Sequence, residues 1–105
     1  MVEEQNIIDK KIHQFVFELK RIGINVEKAI LFGSYAKGTY NEWSDIDLAV
    51  VSSDFKGIRI IDKENMVSAI SAVDYDISPL PYRPEDFTED DLFVKEILKT
   101  GIRII

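Results

Sequence analysis

Across residues 3–22 the apolar side chains Ile8, Ile12, Phe15, Val16, Leu19 and Ile22 recur mostly at three- and four-residue steps, with Lys10, Lys11, Glu18 and Lys20 between them. That period predicts an amphipathic helix. Gly23 is its expected stop, because glycine readily takes the left-handed conformation that closes a helix. The run Lys28-Ala29-Ile30-Leu31-Phe32 is short, apolar and bounded by charge and glycine, which predicts a buried strand leading into Gly33-Ser34. Residues 35–44, with Gly38, Thr39, Asn41 and Ser44, read as one helical turn followed by a loop, and residues 46–51 as a second strand. After a polar turn over 52–57, Ile61, Met66, Val67, Ile70 and Val73 predict a helix over 58–73. Alternation over 73–80 predicts a third strand. It is expected to end before Pro81, since proline has no amide hydrogen for a central ladder. Leu92, Val94, Ile97 and Leu98 predict a short last helix closed by Gly101, with residues 102–105 as an edge strand or a docked tail.

The resulting order, α-β-α-β-α-β-α without an internal repeat or linker, predicts an α/β chain of the α+β kind: a small mixed sheet with helices packed on it. At 105 residues the chain is expected to form a single domain over 1–105. Its 46% apolar and 30% charged residues give the balance of a folding globular protein. No apolar run approaches the length of a membrane span, and Met1-Val2-Glu3-Glu4 lacks the regions of a secretory signal, so no membrane partner and a cytoplasmic location are expected. The absence of cysteine removes disulfides, thiolate metal sites and cysteine nucleophiles together. A net charge of −6 disfavours long nucleic acid, whose phosphates call for a basic surface. It remains compatible with carboxylates that hold metal ions and, through them, phosphates.

Two short motifs carry chemistry. In Ser44-Asp45-Ile46-Asp47-Leu48 the strand period points Asp45 and Asp47 to one face and Ile46 and Leu48 to the other. Two carboxylates about 7 Å apart on one face repel unless a cation lies between them. Oxygen-only ligands favour Mg²⁺ or Mn²⁺ over zinc. An Asp-x-Asp alone is most often a solvated strand end. In Phe32-Gly33-Ser34-Tyr35-Ala36-Lys37-Gly38 a strand runs into a Gly-Ser turn whose free amides and serine hydroxyl suit a phosphate. Alone, that turn is most often a helix cap. The combination is what narrows the reading.

Gly33-Ser34, ten residues, then Asp45-Ile46-Asp47 resembles the signature of the DNA polymerase beta-like nucleotidyltransferases. The stretches Gly33-Ser34-Tyr35-Ala36-Lys37-Gly38 and Ser44-Asp45-Ile46-Asp47-Leu48 resemble its minimal subgroup closely, and the flanking elements extend the likeness over most of the chain. The resemblance implies a palm-like fold in which Gly33 and Ser34 hold the triphosphate and Asp45 and Asp47 bind two Mg²⁺ ions. It also implies a third carboxylate on a neighbouring strand. Asp76 is preferred, because Asp76-Ile77-Ser78-Pro79-Leu80-Pro81 follows the family pattern of an acid leading an apolar strand; Asp74 has the same strand parity and stays open.

Lys37 is a secondary candidate for phosphate. Trp43 is read as an anchor of its loop, with base stacking the alternative, and the lone His13 as solvent-facing and without a role.

The implied activity is transfer of a nucleoside monophosphate, AMP from ATP, to an acceptor hydroxyl. The minimal subgroup pairs with HEPN-domain toxins, which makes such a protein the expected partner and acceptor. Two alternatives stand beside this: a small-molecule, aminoglycoside-type transferase that builds its acceptor site as a homo-oligomer, and a non-catalytic nucleotide-binding antitoxin.

Overall fold

A computed structural model describes the backbone of residues 2–105 and side chains from Asn6 onward. Its order is α1 (Val2–Arg21), β1 (Lys28–Phe32), α2 (Ser34–Lys37), β2 (Ile46–Val51), α3 (Arg59–Val73), β3 (Ile77–Tyr82), a 3-10 turn (Pro84–Asp86), α4 (Leu92–Thr100) and β4 (Ile102–Arg103). The four strands form one mixed sheet in the order β3-β2-β1-β4. β1 is antiparallel to β2 and to β4, whereas β2 and β3 run parallel through the α3 crossover.

Alternation along the strands divides the core into two layers. Ala29, Leu31, Ile46, Leu48, Val50 and Ile77 pack with Ile8, Ile12, Phe15 and Leu19 of α1 and Met66 and Ala69 of α3. Ile30, Ala49, Val51 and Tyr82 turn to the other face, where Val94 and Ile97 of α4 and Phe87 cover them. The predicted stripe of α1 is therefore its buried face, except that Ile22 falls in the closing turn and is exposed.

The stripe predicted for α3 is only half right. Met66, Ile70 and Val73 face the core, but Ile61 and Val67 are exposed, and the buried position of the first turn is Asp62, at 2% exposure. Its carboxylate accepts hydrogen bonds from the Lys56 and Gly57 amides, each at 2.9 Å, so the loop before the helix satisfies the charge and is pinned by it. On α4 the buried pair is Val94 and Ile97, while Leu92 and Leu98 are exposed. Asp91 caps this helix by accepting from the Phe93 and Val94 amides. Gly101 ends it, though with φ −80° and not in a left-handed conformation. A Cβ there would meet the Ile97 carbonyl at 2.5 Å and Ile30 at 2.7 Å, so close approach of β1 selects the glycine.

The third strand starts and ends later than predicted, at Ile77 and Tyr82, and runs through both Pro79 and Pro81. The reason is its place at the sheet edge. Ile46 N–H donates to the Asp76 carbonyl and Ser52 N–H to the Tyr82 carbonyl, so the even-numbered residues face β2. At Ile77, Pro79 and Pro81 the backbone amide positions point to the open edge; the prolines have no N–H, and that of Ile77 donates to the Asp74 carbonyl. The open edge thus offers no free donor from these three residues to another strand. β4 is the predicted edge strand on the opposite side, and the Ile104 amide beyond it docks on the Ala29 carbonyl.

Candidate functional site

The site forms where β1 ends. Gly33 leaves the strand with φ +73° and ψ −149°, a region open in practice only to glycine, and opens α2 with no side-chain cap. Ser34 is the first residue of that turn, so its hydroxyl is not spent as a helix cap. The turn is closed through the backbone, by the Lys37 amide on the Gly33 carbonyl and the Thr39 amide on the Ser34 carbonyl. Lys37 lies exposed in the last turn of α2.

Asp47 lies across from Phe32 in the β1–β2 register, one residue short of that turn. Its carboxylate presses against Gly33: a Cβ added there would stand 2.3 Å from Asp47 Oδ2. The phosphate-suited turn and the acidic strand end therefore occupy one place. Ile46 and Leu48 are buried on the far face, as the strand period requires, while Asp45 is exposed at the leading end. Burial raises the pKa of Asp47 above the ordinary carboxylate value, and the charge of Asp45 raises it further.

The two candidates for the third carboxylate lie in different settings. Both fall in the turn before β3, so neither is part of the strand as predicted, and strand parity does not govern them. Asp74 caps the C-terminus of α3, forms an ion pair with Lys11 of α1, and accepts the Asp76 amide at 2.8 Å. Lys11 and then that amide hold its pKa below the usual value. Asp76 is exposed, and its carbonyl accepts from Ile46 N–H at 2.8 Å, which sets it beside the peptide joining Asp45 to β2. Among the described residues no group of three His, Cys, Asp or Glu side chains is close enough to enclose a metal ion. Asp47 lies at the turn, with Asp45 two residues before it and Asp76 beside the start of β2.

Asp74→Asn is expected to be a stability variant. A carboxylate with a lowered pKa stabilises the fold above its unfolded value, and that contribution is lost as pH falls through the depressed folded value. In urea melts at neutral pH the variant should lose about 0.2–1 kcal/mol, the range for a solvent-accessible ion pair. The difference should vanish in strong acid; equal midpoints at neutral pH would contradict this role.

Trp43, read as a loop anchor, is instead 84% exposed, because the loop is held by its backbone and polar side chains. Asn41 Oδ1 accepts the Trp43 amide at 2.8 Å, and Ser44 Oγ accepts the Asn41 amide at 2.9 Å. His13 is exposed, as expected. Sequence reasoning missed Lys11 and the stacked pair Tyr35–Tyr40, whose ring centroids are 4.6 Å apart. With Ile7, Ile8 and Asn41 they line a cavity of about 430 Å³ between α1 and the α2 loop. The two tyrosines that follow the Gly-Ser turn were the available signal.

The fold is that of a mixed α/β protein whose sheet sets a Gly-Ser turn against an acidic strand end. Residues 10–104 match the model of the nucleotidyltransferase domain, and the chain belongs to that family. It is a nucleotidyltransferase, and its family generally uses divalent metal ions. Two Methanocaldococcus jannaschii proteins are similar. "Putative protein adenylyltransferase MJ0141" is 30% identical over 81 residues, covering 75% of this chain and 79% of that protein. "Putative protein adenylyltransferase MJ1305" is 29% identical over 90 residues, covering 81% of this chain and 61% of that protein.

Two solved structures share the fold. A "putative nucleotidyltransferase" from Sulfolobus solfataricus superposes with a TM-score of 0.66 at 24% identity, covering 97% of this chain and 83% of its own. A structure described as "the toxin-antitoxin with AMP-PNP" gives 0.63 at 22%, covering 92% and 72%. No helix among the described residues is long and apolar enough to cross a membrane.

Proposed function

We propose that this chain transfers AMP from ATP to a hydroxyl group on a partner protein, releasing pyrophosphate, with Mg²⁺ as the working ion and Mn²⁺ as a substitute. The observation that supports the reading is the close approach of the Asp47 carboxylate to Gly33, which sets an acid of the Asp-x-Asp motif against the Gly-Ser turn. Gly33 and Ser34 would hold the triphosphate, with Lys37 in support. Asp45 and Asp47 fit a hard divalent cation, because Mg²⁺ is commonly held by one or two carboxylates with substrate phosphates and water completing its shell. When bound, such ions would neutralise the phosphate oxygens and make the acceptor hydroxyl more acidic.

In the reaction the acceptor oxygen bonds to the α-phosphorus as the bond from that phosphorus to the α–β bridging oxygen breaks. Asp76, beside the start of β2, is the proposed acceptor of the hydroxyl proton.

A protein acceptor accords with the names of the Methanocaldococcus relatives, which are those of protein adenylyltransferases. A HEPN-domain toxin, with this chain as a cytoplasmic antitoxin, accords with the toxin–antitoxin description of one structural neighbour. The direct test is incubation with α-labelled ATP, Mg²⁺ and the product of the neighbouring gene, followed by intact mass. An added AMP is the expected result. Asp76→Asn should abolish it with triphosphate affinity little changed, while Asp74→Asn should retain it; the reverse pattern would exchange their roles.

A further inference from the structure

The sequence contains one tryptophan, and it is among the most exposed side chains in the fold: Trp43, at 84%. A large apolar ring in water does nothing for the core of its own chain, and here it does not anchor its loop. The loop is ordered without it. Three hydrogen bonds close the turn: two between Asn41 and Ser44, from Asn41 N–H to Ser44 Oγ and from Ser44 N–H to the Asn41 carbonyl, and one from Trp43 N–H to Asn41 Oδ1. The ring is therefore carried on a fixed support and left bare.

Its position is set by the chain. Trp43 precedes Asp45 by two residues, so their Cα atoms are at most about 7 Å apart, and an indole on that backbone reaches the neighbourhood of the acidic pair. Its acidic neighbours along the chain are Glu42 and Asp45, both exposed. Without a bound cation they repel phosphate, and the ring face is the attraction beside them for the uncharged part of a nucleotide. An uncharged aromatic heterocycle is what that face suits.

We infer that Trp43 is the stacking platform for the nucleobase of the bound triphosphate, a specificity-determining residue for the transfer. This rests on the nucleotide site proposed above. Stacking reads ring area and not hydrogen-bond pattern, so the platform favours purines over pyrimidines and discriminates weakly between adenine and guanine. It contributes to nucleotide affinity, and the phosphate turn does not depend on it.

The test uses two ligands in calorimetry, Mg·ATP and Mg·tripolyphosphate, with wild type, Trp43→Ala and Trp43→Phe. Trp43→Ala should weaken Mg·ATP about tenfold, within the range for loss of one base–aromatic contact, and leave Mg·tripolyphosphate unchanged. Trp43→Phe should restore most of the loss. As the sole tryptophan, Trp43 should also show fluorescence quenching by Mg·ATP and Mg·GTP and little response to Mg·tripolyphosphate. Unchanged Mg·ATP affinity in Trp43→Ala would overturn the inference, as would equal weakening of both ligands. Wild type that binds neither ligand would overturn the nucleotide site itself, and with it the platform.

Discussion

Gly33→Ala is expected to lower the thermal midpoint by roughly 10–20 °C and to remove triphosphate binding. Two costs add at this residue. The backbone, at φ +73° and ψ −149°, lies where an L side chain is strained by about 1–3 kcal/mol. The new methyl would also overlap the Asp47 carboxylate, with a gap of only 2.3 Å to Oδ2. A total of about 2–4 kcal/mol corresponds to that shift in a domain of this size.

Gly38→Ala is the control. It too has a positive φ, at +75°, but a Cβ there would meet nothing within 4 Å, so only the left-handed penalty of about 1–2 kcal/mol applies and nucleotide affinity should hold. A double-mutant cycle of Gly33→Ala with Asp47→Ala isolates the steric part, because Asp47→Ala removes the obstructing atoms. Additive effects on stability would contradict a steric clash between the two residues.

Asp47→Asn is expected to reduce transfer by at least about 10³-fold while raising the midpoint of the metal-free protein. The signs are opposite because the carboxylate is unfavourable to the empty fold. Its pKa is raised by burial and by Asp45, so the native state binds this proton more tightly than the unfolded chain does. Stability therefore falls as pH rises from the unfolded carboxylate value through the raised folded value, and the penalty is complete above it. Asn keeps the shape and removes the charge, so the stability gain should be present at neutral pH and absent in strong acid. Thermal melts across that range check the sign, and an unfolded Asp47→Asn would make the acidic pair structural.

The parts of this fold that were legible in sequence are those set by local period. Ile8, Ile12, Phe15 and Leu19 announce the buried face of α1, and the alternation of Ile46 and Leu48 with Asp47 announces the two faces of β2, because each signal lies within one element. What escaped depends on distant neighbours. Prolines in β3 are tolerable only because the strand is at an edge, and strand order is a property of the whole sheet. Asp62 reads as a surface residue until the loop amides of Lys56 and Gly57 fold over it. Asp74 and Asp76 look alike by spacing; a lysine 63 residues away is what ties Asp74 to α1. Trp43 reads as an anchor on composition, and only the hydrogen bonds of its loop leave it with nothing to anchor.

The central claim, that the Gly33–Ser34 turn and the Asp45–Asp47 pair together form a metal-dependent triphosphate site, is tested most directly by titrating ATP into the purified chain with Mg²⁺ and again in EDTA. Without a divalent cation the carboxylates face the phosphates as like charges, so binding should be at least about tenfold weaker in EDTA. Asp45→Asn with Asp47→Asn should bring the two titrations together. Equal affinity of the wild-type chain with Mg²⁺ and in EDTA would contradict the account.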